Sequence, residues 1–180
     1  MSDCGSPKGY QQIFSQKTPH REAKRYRRKG LDPTSRSIVE FLKKHGVEDR
    51  TLLEAGLEDR IERRVTDFAE AGAEVEAADI VVMNRVICCY QDMPKLTGAA
   101  ADHTRGVLVI TFPRDTWWMR LGLVIANFGL RIARRHFRIF LHSPEQILAT
   151  AAKHGLRIAL NRPGVVWQIA ALDRVATARA

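Results

Sequence analysis

The chain lacks any long hydrophobic run. Its most apolar segment, residues 116–137, has a core of 13 residues, "LGLVIANFGLRIA", and that core holds Arg131. A bilayer span needs about 20 apolar residues, so this segment is too short and too charged to cross one. Cysteine is scarce: Cys4, Cys88 and Cys89 are the only three, and the last two are adjacent. Adjacent cysteines rarely bond to each other, and no Cys/His spacing resembles a structural zinc site. Neither a disulfide framework nor a metal is expected. No apolar leader run opens the chain, and the expected setting is reducing and cytoplasmic. Repeats and low-complexity tracts are also lacking.

What is present is an ordinary globular mixture, 45% hydrophobic and 27% charged in 180 residues, enough for one buried core. The net charge of +9 is unevenly spread. Residues 1–50 carry 12 Lys and Arg against 6 acids, residues 51–112 carry 6 against 11, and residues 113–180 carry 11 against 3. Basic flanks around an acidic middle suit an anionic substrate, a membrane surface or nucleic acid. No nucleic-acid recognition motif accompanies the charge.

The pattern along the chain is that of an α/β protein. "PHREAKRYRRKG" (residues 19–30) is a basic, exposed helix candidate closed by Gly30. In "SRSIVEFLKKHG" (residues 35–46), Ile38, Val39, Phe41 and Leu42 share a helical face and Gly46 ends it. The β-branched runs near 79–86 and 106–112 read as buried strands, with a helix over 93–103 between them, which is the parallel crossover unit. Residues 116–137 predict a helix packed under the sheet, the alternative being a helix on a membrane surface. "HSPEQILATAAKHG" follows, with Ser143 as N-cap, Pro144 at the first helical position, Gln146 at the third and Gly155 as stop. Strands near 156–161 and 165–172 flank "RPG", a turn short enough to make them an antiparallel hairpin.

One stretch departs from this order. "TLLE" (residues 51–54) looks like a buried strand ending in an acid, and "AGLEDR" follows it with one glycine and no phosphate-cradling loop. Only six residues separate Glu54 from Ile61, too few for the dozen or more that a parallel crossover requires. Leu53, Leu57, Ile61, Val65 and Phe68 are also spaced as one face of a helix. Residues 50–68 therefore form either strand–loop–strand or a single amphipathic helix.

Five phrases occur in one order along the chain: "RYRRKGLD" (25–32), "RVTDF" (64–68), "NRVICCYQDM" (84–93), "FPRDTWW" (112–118) and "VWQIAAL" (166–172). Together with a mostly parallel sheet ending in an antiparallel hairpin, they resemble the class I S-adenosylmethionine-dependent methyltransferases, in the branch related to magnesium-protoporphyrin methyltransferase. The resemblance implies a Rossmann-like sheet, truncated in its first half. It also implies a basic arm over 1–34, an incomplete methyltransferase-like domain over 35–176 and a tail over 177–180. The family's glycine-rich cofactor loop and second strand belong after Glu54 and are missing. The resemblance therefore implies methyl transfer to a small-molecule acceptor, impaired by that loss, with S-adenosylmethionine bound weakly or not at all. The alternative is a non-catalytic basic binding protein or an inactive deletion product.

Residue by residue, the resemblance places Glu54 near the methionine end of the cofactor, Asp67 and Phe68 at adenine, and Asn84 and Arg85 at the ligand edge of the sheet. Read from the residues alone, Glu54 is a surface acid, Asp67 a helix N-cap and Phe68 a core ring. Tyr26, Tyr90 and Trp117 are substrate-side candidates; the basic run that holds Tyr26 is more often a solvated face, Tyr90 equally suits the core, and Trp117 suits a pocket wall or plain packing. Cys88 and Cys89 suit small buried fillers better than nucleophiles, since no histidine is placed beside them by the sequence. Methyl transfer is mainly a positioning task, and no general base is assigned.

Overall fold

The computed structural model describes residues 28–44, 67–71, 75–135 and 137–175. In chain order the elements are α1 (Pro33–Lys44), α2 (Phe68–Ala71), β1 (Ala78–Asn84), a 3-10 turn (Ile87–Cys89), α3 (Met93–Asp102), β2 (Thr104–Pro113), α4 (Trp117–Ile132), α5 (Pro144–Lys153), β3 (Leu156–Pro163) and β4 (Trp167–Arg174). The architecture is mixed α/β. The expected basic helix up to residue 27, the end of the helix at 45–46 and the junction over 50–66 lie outside the described residues, as do Tyr26 and Glu54.

The four strands form one sheet in the order β1-β2-β4-β3. β1 and β2 are parallel, with Asn84 opposite Thr111 at the carboxyl end. β4 runs antiparallel to both of its neighbours, β2 and β3. Three strands thus share a direction and one, wedged among them, is reversed. The hairpin expected around "RPG" is present, closing with Pro163 opposite Gln168.

Period-two alternation in β2 and β4 divides the core. Leu108, Ile110, Phe112, Ala170 and Leu172 point to the face covered by α3 and α5, where they meet Met93, Leu96, Ala100, Ile147 and Ala151. Val109, Ile169 and Ala171 point the other way, against Ile38 and Phe41 of α1. β2 is central and covered on both sides, which is why its sequence is a nearly continuous apolar run.

Local chemistry sets the element ends. The Asp92 carboxylate accepts from the Lys95 amide at 3.0 Å and starts α3. The Ser143 hydroxyl accepts from the Gln146 amide at 3.4 Å and starts α5, with Pro144 in the first turn. Gly155, with φ +80°, ends α5 in the left-handed region that glycine enters most readily. Gly106 serves a different purpose: a Cβ there would stand 2.7 Å from the Asp79 carbonyl oxygen, so only glycine lets β1 and β2 approach at their register shift. The Arg174 guanidinium donates to the carbonyls of Thr104, Ala101 and His154, tying the end of β4 to the carboxyl-terminal ends of α3 and α5.

Two expectations need correction. The strand expected to reach residue 86 stops at Asn84, because Arg85 takes φ +60° and breaks the extended run. The helix expected beneath the sheet is also displaced. α4 buries Met119 alone, while Trp117, Leu121, Val124, Ile125, Phe128 and Ile132 remain more than half exposed. It leans instead on the returning chain, where the Asn127 amide exchanges two 2.8 Å hydrogen bonds with the Ile139 backbone.

Candidate functional site at the carboxyl end of strand β1

In a sheet of this kind ligands gather where the parallel strands end at their carboxyl termini. Here that edge is built from Asn84, Arg85, the 3-10 turn and Tyr90. Thr111, fully buried in β2, fixes its geometry: its hydroxyl donates to Asn84 Oδ1 at 2.8 Å and accepts from the Arg85 amide at 2.7 Å. That double contact supports the left-handed backbone at Arg85, a conformation that costs a non-glycine residue on the order of 1 kcal/mol or more.

The Arg85 side chain reaches back to the start of α1, where it donates to Asp32 Oδ1 at 2.8 Å. Its guanidinium carbon lies 5.0 Å from the centre of the Trp167 ring. Asp32 also caps α1, accepting from the Thr34 amide at 3.1 Å and from the Ser35 hydroxyl at 2.7 Å. Partial burial pushes the Asp32 carboxyl up, but the Ser35 contacts and Arg85 outweigh it, and the group sits below the usual carboxylate range. Asp32, Arg85, Arg162, Val166 and Trp167 line a cleft of about 400 Å³.

On the other side of the turn, the Tyr90 hydroxyl donates to the Asp67 carboxylate, 3.1 Å from both oxygens. Burial first, then Asp67, pushes the phenol up to about 12. Asp67 Oδ1 also accepts from the Ala69 amide at 3.0 Å, the N-cap role that its sequence position suggested. Phe68 packs on the core and meets the His103 ring edge-on, 5.3 Å between centres. His142 Nε2 is 2.9 Å from the Tyr90 carbonyl, and the Phe140 amide donates to the Cys88 carbonyl at 2.7 Å, so the chain after α4 braces the turn.

The sulfurs of Cys88 and Cys89 lie 3.8 Å apart. The hydrogen bond from its neighbour lowers Cys88, and the same contact raises Cys89. Cys88 is buried, which fits a small filler.

Of the residues singled out by sequence, the structure brings Asp67 to Tyr90 and places Asn84 beside Arg85. Trp117 stands 77% exposed at the start of α4 and does not line the cleft. Sequence reasoning passed over Thr111, Trp167 and Arg162. A threonine inside "VLVITF" was the available signal for the first, since a hydroxyl in a buried strand requires a partner.

The described residues fit a bound S-adenosylmethionine poorly. Asp67 is engaged by Tyr90 and Ala69, Asn84 Oδ1 is taken by Thr111, Phe68 is turned to His103, and Arg85 is paired with Asp32. Among the described residues, no group of His, Cys, Asp and Glu is placed to hold a metal.

No family model and no curated protein sequence matches the chain. Among solved structures it is similar to the magnesium protoporphyrin IX methyltransferase of Synechocystis PCC 6803 with bound SAH, at 18% identity and a TM-score of 0.46, covering 61% of this chain and 49% of that one. It is also similar to an O-methyltransferase family protein from Burkholderia thailandensis, at 21% identity and a TM-score of 0.46, covering 81% of this chain and 42% of that one. A third neighbour is CalO1, a methyltransferase in calicheamicin biosynthesis, at 17% identity and a TM-score of 0.44, covering 72% and 39%. The chain spans less than half the length of each of these neighbours.

Proposed function

We propose that this chain is a methyltransferase-type domain, acting by resemblance on a small-molecule acceptor, whose hold on S-adenosylmethionine is weak. The observation that carries the reading is the sheet order β1-β2-β4-β3 with β4 reversed, which supplies the antiparallel ending that the collinear phrases implied. The ligand edge retains a built geometry at Asn84 and Arg85. The buried Cys88 thiol supports a reducing, cytoplasmic setting.

The weakness follows from the residues after Glu54. A glycine-rich loop brings backbone amides close to the cofactor, and side chains elsewhere do not replace that path. An acid on the second strand normally holds the ribose, and it is missing with the strand. Each lost hydrogen bond to a polar or charged ligand costs about 1.5–3 kcal/mol, and two or three of them amount to roughly two to six decades of affinity.

A second reading rests on the pairings at the strand edge. Asn84, Arg85, Asp67 and Tyr90 are engaged with protein groups rather than turned toward a ligand, which favours a non-catalytic basic binding protein. Calorimetric titration of the full chain with S-adenosylhomocysteine separates the two. Saturable heat in the millimolar range, abolished by Asn84→Ala, supports the weak methyltransferase. No heat at any concentration supports the non-catalytic protein. A micromolar dissociation constant overturns the impairment.

A further inference from the structure

α4 buries Met119 and ties the Asn127 side-chain amide to the Ile139 backbone, which leaves the side opposite Met119 facing outward. That outward side is apolar. Trp117, Leu121, Val124, Ile125, Phe128 and Ile132 follow one another at steps of four, three, one, three and four, one helical stripe, and they are 54–77% exposed. A helix of 16 residues is about 24 Å long, too short to cross the roughly 30 Å hydrocarbon layer, and no described helix is long and apolar enough to do so.

The charge around the stripe has one sign. No Asp or Glu occurs between Asp115 and Glu145, while Arg120, Arg131, Arg134, Arg135 and Arg138 all do. Arg120 is paired with Asp115, but Arg131, Arg134 and Arg135 are exposed and have no carboxylate partner among the described residues. The cations therefore cluster at the carboxyl end of the helix, beside the apolar stripe, and Trp117 and Trp118 stand at the other end. Arginines of this kind reach phosphate groups while their stems lie on apolar surface, and tryptophan favours the headgroup boundary. A soluble protein partner would be expected to meet Arg131, Arg134 and Arg135 with acids of its own. An anionic bilayer meets both the stripe and the cations with one continuous surface.

We propose that α4 lies flat in the headgroup region of anionic phospholipid membranes, its stripe from Trp117 to Ile132 immersed and Arg131, Arg134 and Arg135 on lipid phosphates. This anchors the sheet without a spanning segment and is independent of whether the chain binds S-adenosylmethionine. The test is sedimentation of the full chain with vesicles of phosphatidylcholine alone or with phosphatidylglycerol added, with tryptophan quenching by brominated lipid as the second readout. Binding is expected to rise at least tenfold with the anionic lipid and to fall with salt. The double variant Ile125→Glu/Phe128→Glu should lose tenfold or more in binding, and the triple variant Arg131→Gln/Arg134→Gln/Arg135→Gln should lose the preference for anionic lipid. Both variants alter exposed positions, and circular dichroism checks that they fold. Failure of the full chain to bind anionic vesicles overturns the proposal. So does equal binding to neutral vesicles, or concentration-dependent dimerisation that Phe128→Glu abolishes while vesicle binding stays absent.

Discussion

Thr111 and Tyr90 each hold the strand edge by a hydroxyl, and each can be examined alone. Removing the Thr111 hydroxyl by Thr111→Val keeps the shape and strands two partners, Asn84 Oδ1 and the Arg85 amide. The expected loss is about 1–3 kcal/mol in a urea titration, with an unchanged slope. Tyr90 is a statement about pH. Its phenol, pushed up to about 12 by burial and then by Asp67, holds its proton more tightly in the folded chain than the ordinary value of 10. The stability from this contact is therefore fully present below pH 10 and is lost as the pH rises from 10 toward 12. An ultraviolet titration should show one late phenolate step that Tyr90→Phe removes. If all tyrosines ionise together near 10, the Asp67 contact has no weight.

Among the elements, α3, α5 and β4 meet at Arg174. A cation against carbonyls at the ends of two helices satisfies acceptors that the helices themselves leave open and complements their dipoles. Arg174→Ala should cost about 2–4 kcal/mol, measured by denaturant unfolding, and Arg174→Lys should recover only part of it, since an ammonium lacks the planar fork that reaches Thr104, Ala101 and His154 together. Full recovery by lysine would show that charge alone matters. Nothing in the sequence marked this arginine, because its partners lie 20, 70 and 73 residues away and are backbone atoms. By contrast α5 was legible, since "HSPEQ" carries its cap, its first-turn proline and its third-position glutamine within one turn. α4 was legible as a helix but not in its placement: its apolar residues extend over more than one side, with Arg120, Asn127 and Arg131 on the remainder, and spacing alone does not say which apolar side is covered.

For the whole molecule, the sheet could be foreseen as strands and as a final hairpin, because period, turn residues and β-branching are local. The insertion of β4 between β2 and β3 is a tertiary arrangement that those local signals do not encode. The strand end at Asn84 was legible in the sequence, while the pairing beside it was not, because Asp32 and Arg85 are 53 residues apart and only folding joins them. At this scale the deciding measurement is cofactor affinity. Inserting a glycine-rich loop, helix and second strand between Glu54 and Ala55, taken from an intact relative, should raise affinity for S-adenosylhomocysteine by roughly two to six decades if the missing hydrogen bonds are the cause. An insert that folds yet binds no better would mean that the paired residues at the edge have closed the site by themselves.

The reversed strand also dictates the order in which the chain can be completed. β1 and β2 can pair as soon as both have left the ribosome, but among the described strands β3 has only β4 as a neighbour, and β4 comes later in the chain. Until residues 167–174 are available, the inner edges of β2 and β3 carry unpaired amides and carbonyls, a surface open to pairing with other chains. The closing step joins β4 to β2 across more than 50 intervening residues, the kind of non-local contact that slows folding. Nascent chains stalled before Trp167 should therefore aggregate, and refolding of the finished chain should slow when Leu172 is replaced by alanine.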